Sequence, residues 1–377
     1  MSKWPGKYVI GLTGNIATGK SVVRKMLEHL GAYGIDADAL SHRVIARGAP
    51  GHQPVLSAFG NWVLNADGEI DRQKLGRLVF SEPEALEILE GIIHPYVDQA
   101  INLLVQRSRQ ATIVIEAIKL FESNLAGYCD SLWTTVAPES IQLARLMSKR
   151  GMSKAEALIR IRMQPSQEEK VSKASVVIQN SVSFEETWRE VQAAWKKISP
   201  RVEPVPLPAQ KPARKDLVVQ RGRPGDSRAI AELITRLSKG VHRKTSEEIM
   251  AAFGEKAFLL LMQEHQLVGL VAWQVENLVA RSSDIYVDAD LPLALSLKAL
   301  VSEVEKGSRD LQCEASLLFL PPGLAIQADI WHKLGYETRT PQSLGIQAWQ
   351  DAVKESMPVD TILFFKQLRI DRVLRPI

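Results

Sequence analysis

The feature that most constrains this chain of 377 residues is the segment at residues 14–21, Gly-Asn-Ile-Ala-Thr-Gly-Lys-Ser, which fits G-x-x-x-x-G-K-S. An apolar run at residues 8–12 precedes it, and apolar residues at helical spacing follow it until Gly31. A strand, a glycine-rich loop and a helix are therefore predicted in that order. Such a loop turns backbone N–H groups around a phosphate, while the lysine reaches the β and γ phosphates and the serine can bind Mg²⁺. We expect a nucleoside triphosphate to bind here.

Length and composition indicate a globular protein of two or three domains. Hydrophobic residues make up 45% of the chain and charged residues 24%, which argues against wholesale disorder and a membrane protein. The net charge of +4 favours acidic small molecules over nucleic acid as partners. With Cys129 and Cys313 as the two cysteines, neither a disulfide scaffold nor a zinc site is expected. The first strand begins too early for a signal peptide, so we expect a cytoplasmic protein.

A proline-rich stretch divides the sequence into two α/β domains. Five prolines between residues 199 and 215 predict a semi-rigid linker at 200–215. The part before it, residues 1–199, alternates apolar strand-like runs with helical stretches, which predicts a mainly parallel sheet with helices on both faces. The part after it, residues 216–377, predicts a second α/β domain with a hairpin turning at residues 264–266 and a helix near residues 293–306.

Two acidic residues follow the probable second strand, in Ile35-Asp36-Ala37-Asp38. If this segment is extended, both carboxylates lie on one side, where one can accept a proton from an attacking hydroxyl and the other can help to hold Mg²⁺. The alternative is a helix N-cap followed by solvated turn residues. The apolar run at residues 113–115 ends in Glu116 rather than Asp, so no convincing Walker B segment is evident. This favours a small-molecule kinase over a motor-type ATPase or a GTPase.

Further short motifs follow in a fixed order, and no single one of them is specific. They are Asp67-Gly68-Glu69-Ile70-Asp71-Arg72, Ile92-Ile93-His94-Pro95, Leu120-Phe121-Glu122-Ser123, Gln142-Leu143-Ala144-Arg145-Leu146, Arg160-Ile161 with Gln164, Glu169-Lys170 and Val177-Ile178-Gln179-Asn180. Together with the phosphate loop they make residues 8–195 resemble the dephospho-coenzyme A kinase family. The resemblance implies a P-loop kinase core with a helical substrate insert and a lid. It also implies transfer of the γ-phosphoryl group of ATP to the ribose 3′-hydroxyl of dephospho-coenzyme A, the last step of coenzyme A synthesis.

The resemblance also implies roles for individual residues. Asp38 would be the catalytic base, Lys20 the cation at the γ-phosphate, and Ser21 the Mg²⁺ ligand, with Asp36 supporting that site through water. Arg145 and Arg150 would belong to the lid, where Arg145 neutralises charge on the transferring group. The expected ATP contacts are Gly14, Asn15, Ile16, Ala17, Thr18, Gly19, Lys20, Ser21, Val22, Arg145 and Asn180. The expected substrate contacts are Asp36, His94 and Arg150.

Plainer alternatives exist for several of these residues. The lid arginines could lie on a solvated helix face, and Arg160 and Arg162 belong to a charged amphipathic helix predicted at residues 153–163. A lone histidine at a helix start is often structural, which applies to His94, and Asn180 could be a turn residue. Lys119 departs from the family pattern and could contact substrate phosphates or solvent.

From residue 216 onward the sequence resembles the fold of the Gcn5-related acetyltransferases. The matching segments are Leu217-Val218-Val219-Gln220-Arg221, Pro224-Gly225-Asp226, Leu267-Val268-Gly269 and Trp331-His332-Lys333-Leu334-Gly335-Tyr336-Glu337. The glycine-rich acetyl-coenzyme A loop of that family is replaced by residues 289–295, which contain no glycine. Because backbone cannot easily approach a pyrophosphate there, we expect a degenerate regulatory or structural module rather than an active acetyltransferase. Its position beside a domain that would make coenzyme A suggests the hypothesis that it senses a coenzyme A thioester or channels the product.

The sequence thus predicts an ATP-dependent, Mg²⁺-requiring dephospho-coenzyme A kinase with an acetyltransferase-like appendage. Two alternatives stay open: a kinase for another nucleotide-like hydroxyl, and a nucleotide-gated binding or scaffold protein. A nucleotide-gated binding or scaffold protein would be expected to carry a Walker B aspartate and nucleotide-sensing loops. Asp38 and the lid arginines instead suit a phosphotransferase.

Overall fold

The computed structural model describes residues 3–181, 183–198 and 217–369, so the predicted linker at 200–215 lies outside the described residues. The N-terminal domain contains a five-stranded sheet in the order β2-β3-β1-β4-β5, with every neighbouring pair parallel. Its strands are β1 (Tyr8–Gly14), β2 (Tyr33–Asp36), β3 (Thr112–Glu116), β4 (Ser131–Val136) and β5 (Val176–Gln179). The predicted parallel sheet is confirmed.

Helices cover both faces of this sheet, because alternate side chains of its buried strands point to opposite faces. Val9 packs into the cluster on the insert side, and its neighbour Ile10 packs into the cluster beneath α1 and α9. The helices of this domain are α1 (Lys20–His29), α2 (Ala37–Val44), α3 (His52–Phe59), α4 (Arg72–Ser81), α5 (Pro83–Arg107), α6 (Glu139–Arg150), α7 (Lys154–Arg162), α8 (Gln167–Lys173) and α9 (Phe184–Ile198). Helices α2 to α5 form the insert between β2 and β3, and α6 to α8 connect β4 to β5.

Two local expectations are corrected by the structure. The segment from Asp36 to Asp38 is not extended, because Asp36 caps α2: its Oδ1 atom accepts a hydrogen bond from the backbone N–H of Ala39 at 2.8 Å. His94 does not lie at a helix start but in the interior of α5, which continues through Pro95. The N-cap alternative therefore holds for Asp36, while Asp38 lies in the first turn of the helix.

The second domain has a mixed seven-stranded sheet in the order β11-β12-β10-β9-β8-β7-β6, in which β9 and β10 are parallel. Its strands are β6 (Val218–Arg221), β7 (Ala257–Gln263), β8 (Gln266–Glu276), β9 (Val279–Val287), β10 (Ala315–Leu320), β11 (Glu337–Thr338) and β12 (Ile362–Gln367). Its helices are α10 (Ser227–Leu237), α11 (Ser246–Ala252), α12 (Leu293–Asp310), α13 (Pro322–Ala325), α14 (Ala328–Lys333) and α15 (Gln347–Ser356). The second α/β domain and its β7–β8 hairpin are confirmed.

The two domains share a packed interface. Leu278 of the second domain joins the hydrophobic cluster of the insert, and the Gln312 amide donates to the Leu104 carbonyl at 2.7 Å. An ion pair between Arg43 and Glu314 is 2.7 Å long, and its carboxylate is fully buried. Of the helices in the described ranges, none is long and apolar enough to cross a membrane.

Candidate active site

The phosphate loop connects β1 to α1 and is held by contacts that only glycine permits. Gly14 and Gly19 have φ of +150° and +95°. A Cβ atom on Gly14 would lie 2.3 Å from Thr135 Oγ1, and one on Gly19 would lie 1.7 Å from Asn180 Nδ2. The Thr18 and Thr135 hydroxyls are 2.7 Å apart, which ties the loop to β4. The loop is therefore fixed at the carboxyl end of the central strand, with the N-terminus of α1 behind it.

The ammonium group of Lys20 lies inside the curve of this loop. Its Nζ atom donates to the carbonyls of Gly14 at 3.0 Å and Asn15 at 3.3 Å. Burial lowers the pKa of Lys20, while Glu116 and Asp38 act in the opposite direction. The lysine is thus placed where an anion bound by the loop would meet it.

Ser21 and Glu116 form a hydrogen-bonded pair beside the loop. The Ser21 hydroxyl donates to Glu116 Oε1 at 2.8 Å, and Arg24 Nε donates to Glu116 Oε2 at 2.7 Å. Glu116 ends β3, the neighbour of β1, so its carboxylate lies where a Walker B acid would lie. The sequence reasoning missed this residue because it sought an aspartate, although an apolar strand ending in an acid was the signal.

The two acids of the sequence motif lie at the same edge of the sheet. Asp38 Oδ2 accepts a hydrogen bond from the backbone N–H of Ile118 at 3.1 Å. Burial, with the neighbouring Asp36 adding to it, raises the pKa of Asp38 to about 6. Burial and then Glu116 raise the pKa of Asp36, against the opposing charge of Arg24. With a pKa of about 6, the Asp38 carboxylate is suited to accept a proton near neutral pH.

Arg145 and Asn180 meet on the opposite flank of the loop. Arg145 donates to the Ala17 carbonyl at 3.1 Å and to the Asn180 carbonyl at 2.9 Å. The Asn180 amide in turn donates to the Thr18 carbonyl at 2.9 Å. Because β2 and β3 lie on one side of β1 and β4 and β5 on the other, the loop separates these two residues from Asp38.

The segment between α7 and α8 covers the phosphate loop. The backbone N–H of Ile16 donates to Gln164 Oε1 at 2.6 Å, and the Asn15 amide donates to the Pro165 carbonyl at 2.8 Å. Lys170 of α8 is 5% exposed and donates to the Ile118 carbonyl at 3.1 Å. Burial lowers the pKa of Lys170, against the charges of Glu122, Glu169 and Asp38. The sequence reasoning assigned no role to Lys170, since a lysine in a charged helix resembles any surface lysine.

Other candidates lie at the edge of the site. Arg150 ends α6 and is exposed, and so are Arg160 and Arg162 on α7. His94 is also exposed, one helical turn after Glu90 on α5. Lys119 forms an ion pair with Glu90 at 2.8 Å.

Polar groups of the loop before α12 bind other groups of the second domain. Asp288 binds Arg236 at 2.7 Å and accepts a hydrogen bond from the backbone N–H of Asp290 at 3.4 Å. The backbone N–H of Leu291 donates to the Asp288 carbonyl at 3.2 Å, and Pro292 offers no N–H. Two backbone N–H groups of this loop are therefore bound to Asp288, and a proline takes the place of a third. Within the described ranges, no group of three or more His, Cys, Asp or Glu side chains could hold a metal ion.

Comparison with known proteins gives matches for each domain. Residues 8–186 match the family model described as dephospho-CoA kinase. A dephospho-CoA kinase of Carboxydothermus hydrogenoformans is 42% identical over 186 residues, covering 48% of this chain and 90% of that protein. The structure of a dephospho-CoA kinase from Campylobacter jejuni matches with 28% identity and a TM-score of 0.40, covering 52% of this chain and 98% of that one. An acetyltransferase of the GNAT family from Staphylococcus aureus matches with 11% identity and a TM-score of 0.34, covering 41% of this chain and 100% of that one.

Proposed function

This chain belongs to the dephospho-CoA kinase family, and from that premise we propose how its residues carry out the reaction. The N-terminal domain is an ATP-dependent dephospho-CoA kinase. It transfers the γ-phosphoryl group of ATP to the ribose 3′-hydroxyl of dephospho-CoA, which yields CoA and ADP and completes coenzyme A synthesis. The observation that carries the proposed mechanism is the position of Asp38, half-buried beside the phosphate loop with its pKa raised to about 6.

Asp38 is the proposed general base. Above about pH 6 its carboxylate is ionised and can accept the proton of the 3′-hydroxyl as the oxygen attacks the γ-phosphorus. The new bond joins this oxygen to phosphorus, the bond from phosphorus to the β-γ bridging oxygen breaks, and ADP leaves with that oxygen. The hydrogen bond from Ile118 holds one carboxylate oxygen and leaves the other for the substrate.

The loop and the opposite flank of the sheet bind ATP in this proposal. Backbone N–H groups of residues 14–22 surround the phosphates, and Lys20 turns from its carbonyl partners toward the β and γ phosphates. Arg145 and Asn180 lie on the β4–β5 side, so the nucleoside of ATP is proposed to bind there while dephospho-CoA enters from the β2–β3 side. This arrangement puts donor and acceptor on opposite sides of the transferred group, as in-line transfer requires. Contact of Arg145 with that group stays a prediction.

The oxygen atoms near the loop fit Mg²⁺. The exposed Ser21 hydroxyl and the carboxylates of Glu116 and Asp36 are hard oxygen donors, which Mg²⁺ prefers. We propose that Ser21 binds the ion directly, Glu116 orients Ser21, and Asp36 acts through water. When bound, Mg²⁺ would neutralise charge on the phosphate oxygens.

The acceptor site is proposed to lie between the insert and α8. With Asp36, His94 and Arg150 are the substrate contacts that the sequence predicts, and the exposure of His94 and Arg150 leaves them accessible. We propose Lys170 as a further cation near the acceptor, because Lys170 and Asp38 are both hydrogen-bonded to Ile118. Domain limits at residues 199 and 216, a cytoplasmic location and a coenzyme A thioester at the second domain stay predictions of the sequence.

The assay that tests this function measures ADP release by the full-length chain with ATP and Mg²⁺. Dephospho-CoA is compared with adenosine and AMP as acceptors, and Asp38→Asn is the matched inactive variant. Turnover that requires dephospho-CoA and is lost in Asp38→Asn is the expected result. Equal turnover with adenosine or AMP would favour a kinase for another nucleotide-like hydroxyl. ATP binding without any turnover would favour a nucleotide-gated scaffold.

A further inference from the structure

A two-residue turn of the second domain is inserted into the N-terminal domain. β8 ends at Glu276 and β9 begins at Val279, so Asn277 and Leu278 form the turn. We call residues 275–279 the interface turn. Leu278 is 9% exposed and lies in a hydrophobic cluster whose other buried members all belong to the N-terminal domain. The Leu278 side chain is therefore part of a hydrophobic core of the N-terminal domain.

The conformation of Leu278 indicates that this insertion is a specific feature of the chain. Asn277 and Leu278 have φ of +51° and +59°, the left-handed region that a bulky residue such as leucine disfavours. Hairpin turns with both central φ angles positive favour Asn-Gly. The β7–β8 turn, Glu264 and His265, has the same geometry, with φ of +48° and +69°, but both of its residues are exposed. Burial of the leucine side chain offsets its backbone strain at the interface turn.

Charged groups of the N-terminal domain bind the backbone of the interface turn. Arg43 donates to the Asn277 carbonyl at 2.7 Å, and its other terminal nitrogen binds Glu314 at 2.7 Å. Lys25 Nζ donates to the Val275 carbonyl at 2.8 Å. The end of β8 and the turn that follows it are therefore tied to α1 and α2.

Lys25 begins a continuous chain of charge-assisted hydrogen bonds that ends at the phosphate loop. Lys25 binds Glu28 at 2.9 Å, and Glu28 binds Arg24 at 2.8 Å. Arg24 binds Glu116 at 2.7 Å, and Glu116 binds Ser21 at 2.8 Å. We call this the Lys25–Ser21 network. The side chains of its four charged members are at most 14% exposed, so little water can replace a lost partner.

We propose that the interface turn is a positioning element of the kinase site, acting on Ser21 through the Lys25–Ser21 network. The inference rests on the proposed function, because it takes Ser21 as the Mg²⁺ ligand. When the turn leaves its place, Lys25 loses the Val275 carbonyl, and Glu28 and Arg24 can adopt other pairings. Glu116 then no longer holds the Ser21 hydroxyl in one orientation. The second domain thus affects how strongly Mg²⁺ strengthens ATP binding.

The test compares ATP affinity with Mg²⁺ and with EDTA, measured by titration calorimetry on the full-length chain. Leu278→Gly removes the side chain that fills the core but gives the turn its preferred Asn-Gly sequence, so the hairpin itself is not weakened. Lys25→Met breaks the network from the α1 side. His265→Gly also introduces glycine at the second position of a turn, in the exposed β7–β8 turn, and is the matched control.

The expected result is that Leu278→Gly and Lys25→Met each reduce the Mg²⁺-dependent gain in ATP affinity by about tenfold, while affinity in EDTA changes little. His265→Gly keeps the full gain, and the double variant loses no more than either single one. An unchanged gain in both variants overturns the inference, and Lys25→Met decides alone if Leu278→Gly does not fold. If the unmodified chain phosphorylates dephospho-CoA, such a result leaves the proposed function intact. If the unmodified chain binds no ATP, both fail.

Discussion

The carboxylate of Asp38 accepts a hydrogen bond from the backbone N–H of Ile118, the second residue after the end of β3, at 3.1 Å. This bond joins the first turn of α2 to the segment that directly follows β3 and fixes the proposed base relative to the phosphate loop. The same Ile118 residue offers its carbonyl to Lys170 and Thr13. One short segment after β3 therefore organises both the acid and the cation of the acceptor side.

The pH dependence of the reaction should follow the raised pKa of Asp38. A general base must be ionised, so kcat/KM should rise with pH and level off above an inflection near pH 6. The measurement is kcat/KM for dephospho-CoA between pH 5 and pH 8 at saturating ATP. Asp38→Asn should reduce kcat by at least about 10²-fold and leave ATP affinity within about twofold of the unmodified value. A profile that stays flat through pH 6 would remove Asp38 from this role.

Glu116→Gln should increase the Mg²⁺ requirement of the kinase. The glutamine amide is uncharged and keeps only one oxygen. It therefore cannot accept the hydrogen bonds of Ser21 and Arg24 on two separate oxygens, as the carboxylate does. We expect the Mg²⁺ concentration for half-maximal rate to rise by about 10- to 100-fold, the usual effect of removing a residue that orients a metal ligand. The measurement is a Mg²⁺ titration of the rate, with Glu185→Gln on α9, whose carboxylate is exposed and binds Arg189, as control. An unchanged Mg²⁺ requirement would contradict the proposed pairing.

Local patterns predicted the elements of this fold because they depend on neighbouring residues. The glycines of the phosphate loop, the buried strands and the β7–β8 turn are all visible as short-range signals. Asp36 shows the limit of such signals. An aspartate after a strand can continue the strand or cap a helix, and the Ala39 N–H that decides between them becomes available only once α2 forms.

Contacts between distant residues could not be predicted in the same way. Lys170 lies 52 positions from Ile118, and Lys25 lies 250 positions from Val275. Nothing in either sequence neighbourhood indicates its partner. The sequence did associate Arg145 and Asn180 with ATP, but only the sheet order places them across the loop from Asp38. The helices and strands could thus be predicted from the sequence. The division of the site into two flanks follows only from the order of the strands in the sheet.

Gly19→Ala should weaken ATP binding through Asn180. The new Cβ would lie 1.7 Å from Asn180 Nδ2, so the Asn180 amide must move away from the Thr18 carbonyl and from Arg145. We expect ATP affinity to fall by at least about tenfold and unfolding free energy by about 1–3 kcal/mol. Gly240→Ala is the control, because Gly240 also has a positive φ, of +80°, but the nearest atom to its Cβ lies 4.0 Å away. It should lose stability without losing ATP affinity. Equal ATP affinity in both variants would contradict the role of Asn180.

The domain interface should weaken in mild acid because of His29, which ends α1 and contacts the second domain. Its Nε2 atom lies 2.8 Å from the Phe253 carbonyl, and its Nδ1 atom lies 3.3 Å from Arg221. Burial, with Arg221 and Lys25 adding to it, lowers the pKa of His29 to about 4, while the Phe253 carbonyl and Glu28 oppose the shift. The ring is therefore neutral in the folded state at neutral pH, donating to Phe253 and accepting from Arg221.

The sign of the effect follows from which state binds the proton first. Between pH 6.5 and about 4 the unfolded chain binds a proton at His29 and the folded chain does not, so stability falls as pH falls. The contribution of this group is about 1–3 kcal/mol over that range. Thermal unfolding at pH 7 and pH 4.5 should show a smaller loss of Tm for His29→Gln than for the unmodified chain, whereas His265→Gln at the exposed turn should behave like the unmodified chain. An identical pH dependence in His29→Gln would mean that other groups cause the acid sensitivity of the interface.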